Sequence, residues 1–112
     1  VGLENWQTQL RKGLLDVVVL NLLDQGDWHG YEMVQALKRV NGFRLREGNI
    51  YPILARLQTE GLVTSNLEPS PDGPPRKSFK LSPSGRKALA EMNAHWDQII
   101  ESIERVRRGV KT

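Results

Sequence analysis

Leu3, Trp6, Leu10, Leu14 and Val17 follow one another at helical spacing and predict a first helix from about Asn5 to Leu23. The β-branched run Val17-Val18-Val19 would suit a strand. It is embedded in leucines and in a long helical stripe, so helix is the reading. Asp24-Gln25-Gly26-Asp27 predicts a turn. Tyr31, Val34 and Leu37, with Met33 beside them, predict a short second helix from about His29 to Val40. Asn41-Gly42 stops it, because both residues tolerate the left-handed conformation. Ile50, Ile53, Leu54 and Leu57 form the apolar face of a third helix, from about Glu47 to Glu60. Pro52 falls near the start of this run, where its missing N–H costs little. Gly61 ends it.

Two short strands follow, Val63 to Leu67 and Lys77 to Leu81. The second alternates, with Phe79 and Leu81 on one face and Ser78 and Lys80 on the other. Pro69, Pro71, Asp72, Gly73, Pro74 and Pro75 between them favour an extended or turning chain. Ser82 can then cap a fourth helix, with Pro83 at its first position. Leu89, Met92, Trp96, Ile99, Ile103 and Val106 form a coiled-coil seam of about two and a half heptads along it. That is shorter than the roughly three to four heptads of a clear coiled-coil signal, and flanking charges are sparse. The pattern predicts a long helix packed on a neighbouring subunit and on helix one. Arg107, Arg108 and Lys111 suit the helix dipole and need no further role. The expected fold is mainly α with a small β-hairpin. Residues 1–81 are expected to form a winged helix–turn–helix domain with an N-terminal helix, and residues 82–112 a C-terminal dimerisation helix.

A chain of 112 residues fits one small domain, and a core of that size gains from burial against a second copy. The absence of cysteine excludes disulfides, thiol chemistry and a Cys-based zinc site, and is compatible with a cytoplasmic location. The longest apolar run, Leu14 to Leu23, is broken by Asp16 and Asn21 and is too short to span a bilayer. No basic region precedes a small-residue cleavage site at the N-terminus, so neither a signal peptide nor a membrane partner is expected.

Charge changes the picture more. Net charge is only +3, but residues 1–36 sum to −3 and residues 88–112 to zero. Residues 37–87 sum to +6, with ten basic residues against Glu47, Glu60, Glu68 and Asp72. A solvated surface of mixed charge is the plain alternative. The coincidence of positive charge with the helix-plus-hairpin segment favours a polyanion partner, because phosphates draw Lys and Arg onto one surface. A helix fits the major groove of double-stranded DNA, and a basic wing can grip the backbone. Helix three offers Asn49, Tyr51, Arg56 and Gln58 on its polar side. Asn49 and Tyr51 stand near its N-terminus, where base contacts concentrate and free N–H groups suit a phosphate. Arg76, Lys77 and Lys80 in the wing, and Arg44 and Arg46 before helix three, read as phosphate contacts. His29 reads as a surface or phosphate contact. Packing of Tyr51 at the domain edge and simple solvation of Arg56 compete with these roles.

LRKGLLDVVVLNLLDQGDWHGYEM, GNIYPILARLQTEGLV and GPPRKSFKLSPSGRKAL together resemble the PadR-like transcriptional regulators, over almost the whole chain from about Leu10 to Val106. His29-Gly30-Tyr31-Glu32 and Gly48-Asn49-Ile50-Tyr51-Pro52 are the most specific pieces. The family pattern more often has Thr or Ser at Asn49, Leu at Ile50, and an aromatic residue at Ser78. The single long C-terminal helix resembles the smaller members of the family. The resemblance implies a homodimeric repressor whose C-terminal helices pair across the two-fold axis. It also implies a pseudo-palindromic operator and, in some members, release by a small aromatic effector held among aromatic side chains at the dimer interface. That directs attention to Trp6, Trp28 and Trp96. Indoles stack well on flat aromatic ligands, although plain packing competes with that role. Asn93 and Asp97 stand near Trp96 and could orient a ligand.

Enzyme readings fare poorly. His29 and His95 are far apart, neither has a metal-ligand partner four residues on, and no nucleotide-binding glycine loop is present. No metal or cofactor is expected. The rival from another class is a winged-helix module that docks protein and binds no specific DNA.

Overall fold

The structure is a computed structural model that describes residues 2–40 and 47–111. Its elements run α1 (Gly2–Leu23), β1 (Trp28–His29), α2 (Gly30–Lys38), α3 (Glu47–Thr59), β2 (Val63–Ser70), β3 (Gly73–Leu81) and α4 (Pro83–Arg108). The hairpin is part of a three-stranded antiparallel sheet of order β1-β3-β2. Trp28 pairs with Phe79 and His29 with Ser78. A two-residue strand has no periodicity to read, so the sequence pattern places His29 at the start of helix two. It caps that helix instead: its backbone N–H donates to the Glu32 carboxylate at 2.8 Å.

The core collects apolar residues from every helix and strand β2 and β3. Val19, Leu20, Met33, Ile50, Leu54, Leu57 and Val63 are fully buried at its centre. The face predicted for helix three is therefore the one it buries, with Ile53 packed at the edge. The stripe predicted for α1 is only half of the answer. The helix enters the core through Val19, Leu20, Leu22 and Leu23, which lie beyond the end of that stripe; Leu14 and Val17 of the stripe are only half-buried, and Leu3, Trp6 and Leu10 are exposed in the single chain. Tyr31 likewise leaves the α2 stripe and lies at the surface.

Helix α3 ends in a Schellman motif. The Leu62 N–H donates to the Leu57 carbonyl and the Gly61 N–H to the Gln58 carbonyl, both at 3.0 Å. Gly61 sits at φ +81°, where a side chain would be strained. Pro52 lies in the second turn rather than the first. The acceptor it leaves unfilled is the carbonyl of Gly48, which is exposed near the helix start.

Both wing strands extend further into the proline-rich segment than the sequence pattern predicts. Ser70 pairs with Gly73, which leaves Pro71-Asp72 as a tight tip. Proline at Pro71 rules out the primed turns that match strand twist, and the register shifts between Glu68 and Ser70 just before the tip. Pro69 stands on edge strand β2, and Pro74 and Pro75 precede the stretch of β3 that β1 covers, so none lies where a strand is paired on both sides.

The predicted cap of α4 is present. The Ser82 hydroxyl accepts from the Gly85 N–H at 2.9 Å and donates to the Gly61 carbonyl at 2.6 Å. Leu89 is buried in the chain's own core and Met92 packs against it, so the first third of the predicted seam is intramolecular. Farther along, Trp96, Ile99, Ile103 and Val106 are exposed. Asn21 on α1 and Asn93 on α4 exchange two amide hydrogen bonds, at 3.0 and 2.9 Å. Asn93→Ala should cost about 1–2 kcal/mol in a denaturant titration, because it leaves the half-buried Asn21 amide short of partners.

Candidate nucleic-acid interface

Helix α3 buries Ile50, Leu54 and Leu57, which fixes the orientation of its other sides. Tyr51 and Gln58, two turns apart, share the flank toward the wing, where Gln58 donates to the Ser65 hydroxyl of β2 at 3.1 Å. Asn49 and Arg56 share the flank toward α1. Between the two flanks runs an exposed outer strip of Gly48, Pro52, Ala55 and Thr59. None of these has a long polar side chain, so the sequence pattern did not single them out. Their shortness is the signal: a helix bare on its outer strip can approach another surface closely.

Arg56, on the flank toward α1, is not free. Its guanidinium makes a bidentate pair with Asp16 of α1, at 2.5 and 3.1 Å, and a third bond to Glu60 at 3.2 Å. Hydrogen bonding and charge from Asp16 raise its pKa further above the ordinary arginine value. It is a clamp between α1 and α3, about 10 Å along the helix from Asn49. Asn49 itself is exposed near the helix start.

Tyr51 lies over Gly30, the first residue of α2. A Cβ at Gly30 would collide with the Tyr51 ring and lie 2.6 Å from its hydroxyl. That close approach explains a glycine inside the His-Gly-Tyr-Glu motif. The Tyr51 ring also neighbours Phe79 of β3, tilted with centroids 6.5 Å apart. Tyr51, His29, Gly30, Tyr31, Pro75, Arg76 and Lys77 line an open cleft of about 500 Å³ between the start of α3 and the wing. Arg76 donates to the Tyr31 hydroxyl at 3.1 Å, and its guanidinium lies 5.4 Å from the ring centroid. That contact holds a long basic side chain in one place. Lys77 is exposed at the same cleft. Lys80 is not at the cleft: three residues on, it stands about 10 Å away at the base of the wing, beside Pro83 and Arg86 at the start of α4. Arg44 and Arg46 lie outside the described residues.

His29 differs most from its sequence reading. It is a half-buried ring held between two carboxylates rather than an open surface contact. Nδ1 lies 2.8 Å from Glu32 of α2 and Nε2 3.2 Å from Glu68 of β2. The ring stacks on Tyr31 with centroids 5.7 Å apart. The His29 backbone N–H, with help from the ring and Arg76, holds the Glu32 carboxyl below the usual range against partial desolvation.

The residues read as ligand contacts do not converge within one chain. Trp6 and Trp96 are exposed on different helices, and Asp97 is exposed beside Trp96. Asn93 is engaged with Asn21 through two amide hydrogen bonds, a contact between α1 and α4 within the chain. Trp28 is part of the fold: its indole N–H donates to the Leu22 carbonyl at 2.9 Å. Among the described residues no helix is long and apolar enough to cross a membrane.

A model of the transcriptional regulator PadR-like family matches residues 19–91. Transcriptional regulator Rv3488 of Mycobacterium tuberculosis is 31% identical over 95 residues, covering 85% of this chain and 87% of that protein. A PadR-like transcriptional regulator from Bacillus cereus superposes with a TM-score of 0.80 at 30% identity, covering 91% of this chain and 99% of that one. A PadR family transcriptional regulator from Eggerthella lenta superposes with a TM-score of 0.84 at 25% identity, covering 96% and 94%. These likenesses span the helix–turn–helix, the wing and most of α4, and this chain belongs to the PadR-like family of transcriptional regulators, which are not enzymes.

Proposed function

We propose that this chain is a homodimeric, sequence-specific DNA-binding repressor acting in the cytoplasm. The observation that carries the reading is the cleft where the start of α3 meets the basic wing, with Arg76 braced by Tyr31 and Lys77 beside it. The bare outer strip of α3 enters the major groove, and Asn49 and Tyr51 lead at its N-terminal end. Arg76 and Lys77 grip the backbone on the wing side, and Lys80 does so nearer the base. Two copies place two α3 helices on half-sites about one helical turn, ~34 Å, apart.

The exposed apolar length of α4, from Trp96 to Val106, supports pairing with a second copy. Leu3, Trp6 and Leu10 on α1 offer further apolar surface for the same purpose. A flat aromatic effector then sits between copies near Trp96 and Trp6, with Asp97 at its edge. It releases DNA by favouring a subunit arrangement that fits the half-sites poorly, which requires different affinity for the two states.

A gel shift on the intergenic DNA upstream of the chain's own gene, over a range of salt concentrations, tests the DNA reading. Arg76→Ala and Lys77→Ala should each weaken binding and lower the salt slope by about one. Arg56→Ala should leave the slope unchanged, because its charge is already spent on Asp16 and Glu60. Salt-independent binding, or none, would favour the protein-docking module instead. Fluorescence quenching by flat aromatic compounds, lost in Trp96→Ala, tests the effector site.

A further inference from the structure

His29 is the one described histidine in the proposed DNA-facing cleft, and both of its ring nitrogens face carboxylates. A neutral imidazole carries a single N–H, so it can donate to Glu32 or to Glu68 but not to both. The other nitrogen then turns a lone pair toward a carboxylate oxygen. Only the imidazolium satisfies both contacts. Glu32 belongs to α2 and Glu68 to the wing, 39 residues farther along the chain. The doubly protonated ring therefore ties the wing to the body of the protein, and the neutral ring releases one of the two.

The same proton decides the charge of the cleft. Among the described residues, the charged groups around His29 are Glu32 on α2, Glu68 on β2, and Arg76 and Lys77 on β3. Glu68 is the direct cross-strand partner of Arg76, so a carboxylate stands beside the braced guanidinium. With imidazolium these five charges sum to +1; with a neutral ring they sum to zero. The phenols of Tyr31 on α2 and Tyr51 on α3 also face this region.

We propose that His29 is a positioning residue that, as imidazolium, clasps the wing to α2 through Glu68 and Glu32, so that DNA binding weakens as pH rises from 5.5 to 8. The inference rests on the DNA-binding reading above. The sign follows from charge and from geometry together. Raising pH removes a positive charge from a surface meant for phosphates, and it frees Glu68 to move with the wing. One proton can change affinity by at most about tenfold per pH unit, and a partial coupling gives about five-fold over this range.

The test is fluorescence anisotropy with a labelled duplex from the upstream intergenic DNA, at fixed ionic strength, at pH 5.5 and 8. Wild type should bind about five-fold more tightly at pH 5.5. In Glu68→Gln the side-chain amide can donate to or accept from Nε2, so either state of the ring is satisfied, and a negative charge is gone. That variant should bind at pH 8 at least as tightly as wild type does at pH 5.5; the ring still loses a charge, but without the lost contact the pH ratio should be clearly smaller than that of wild type. Glu68 is exposed on the wing, so its substitution leaves the core in place. His29→Gln should bind weakly at both pH values, with a flat profile. Binding by Glu68→Gln with the wild-type pH ratio overturns the inference alone. No binding by wild type at either pH removes the DNA-binding reading and this inference with it.

Discussion

Gly85→Ala should lower the stability of this protein by about 3 kcal/mol or more, enough to shift its melting temperature down by roughly 10 °C. Gly85 is buried in the first turn of α4, pressed against the backbone of Leu62. A Cβ there would collide with the Leu62 carbonyl oxygen and lie 2.9 Å from its carbon. The obstacle is backbone, so no rotamer change relieves it. The same carbonyl accepts the Ser82 N–H at 3.1 Å, and Ser82 caps the helix through the Gly85 N–H. Pushing α4 outward therefore strains the cap and draws Leu89 from the core as well. A domain of this size is stable by about 5–15 kcal/mol, so the loss is a large share. Urea titration at fixed protein concentration checks it. A loss under 1 kcal/mol would mean that α4 docks less tightly on Leu62 than the structure has it.

Ile103→Asp should abolish the proposed dimer and weaken operator binding about 100-fold, without unfolding the chain. Ile103 is 48% exposed in the single chain, so a carboxylate there meets water when the chain is alone. At the centre of a paired α4 seam it would be a buried, unpartnered charge, which costs several kcal/mol. A dimer reaches two half-sites with one encounter, and losing the link between them forfeits roughly 10²–10⁴ in affinity. Light scattering after gel filtration and a gel shift on the same samples give both numbers. A variant that stays dimeric would place the pairing surface elsewhere, with the exposed Leu3, Trp6 and Leu10 of α1 as the next place to look.

The four helices were legible in the sequence because their signals are local. Ile50, Leu54 and Leu57 announce the buried face of α3 by spacing alone, and Ser82-Pro83 announces the start of α4. Gly61 marks the end of α3 for a reason confined to one residue's backbone. The positive bias of residues 37–87 was likewise a matter of counting. The stripe of α1 and the seam of α4 were correctly apolar, but periodicity cannot say which part faces the chain's own core. On α4 Leu89 turned inward and Trp96 stayed out; on α1 Trp6 stayed out, and the burial falls to Val19 and Leu20 beyond the stripe.

Which side chains work together was decided only by tertiary structure. Arg56 finds Asp16 across 40 residues, Asn93 finds Asn21 across 72, and His29 finds Glu68 across 39. Each of these removes a residue from the role its local context suggested. The two-residue strand β1 exists only because Phe79 and Ser78 of the wing offer it backbone partners. The sequence by itself determined the helices, the turn chemistry and the charged segment, because those depend on neighbours within a few positions. The packed chain alone determined which polar groups meet, because a hydrogen-bond partner is chosen by distance in space and leaves no period in the sequence.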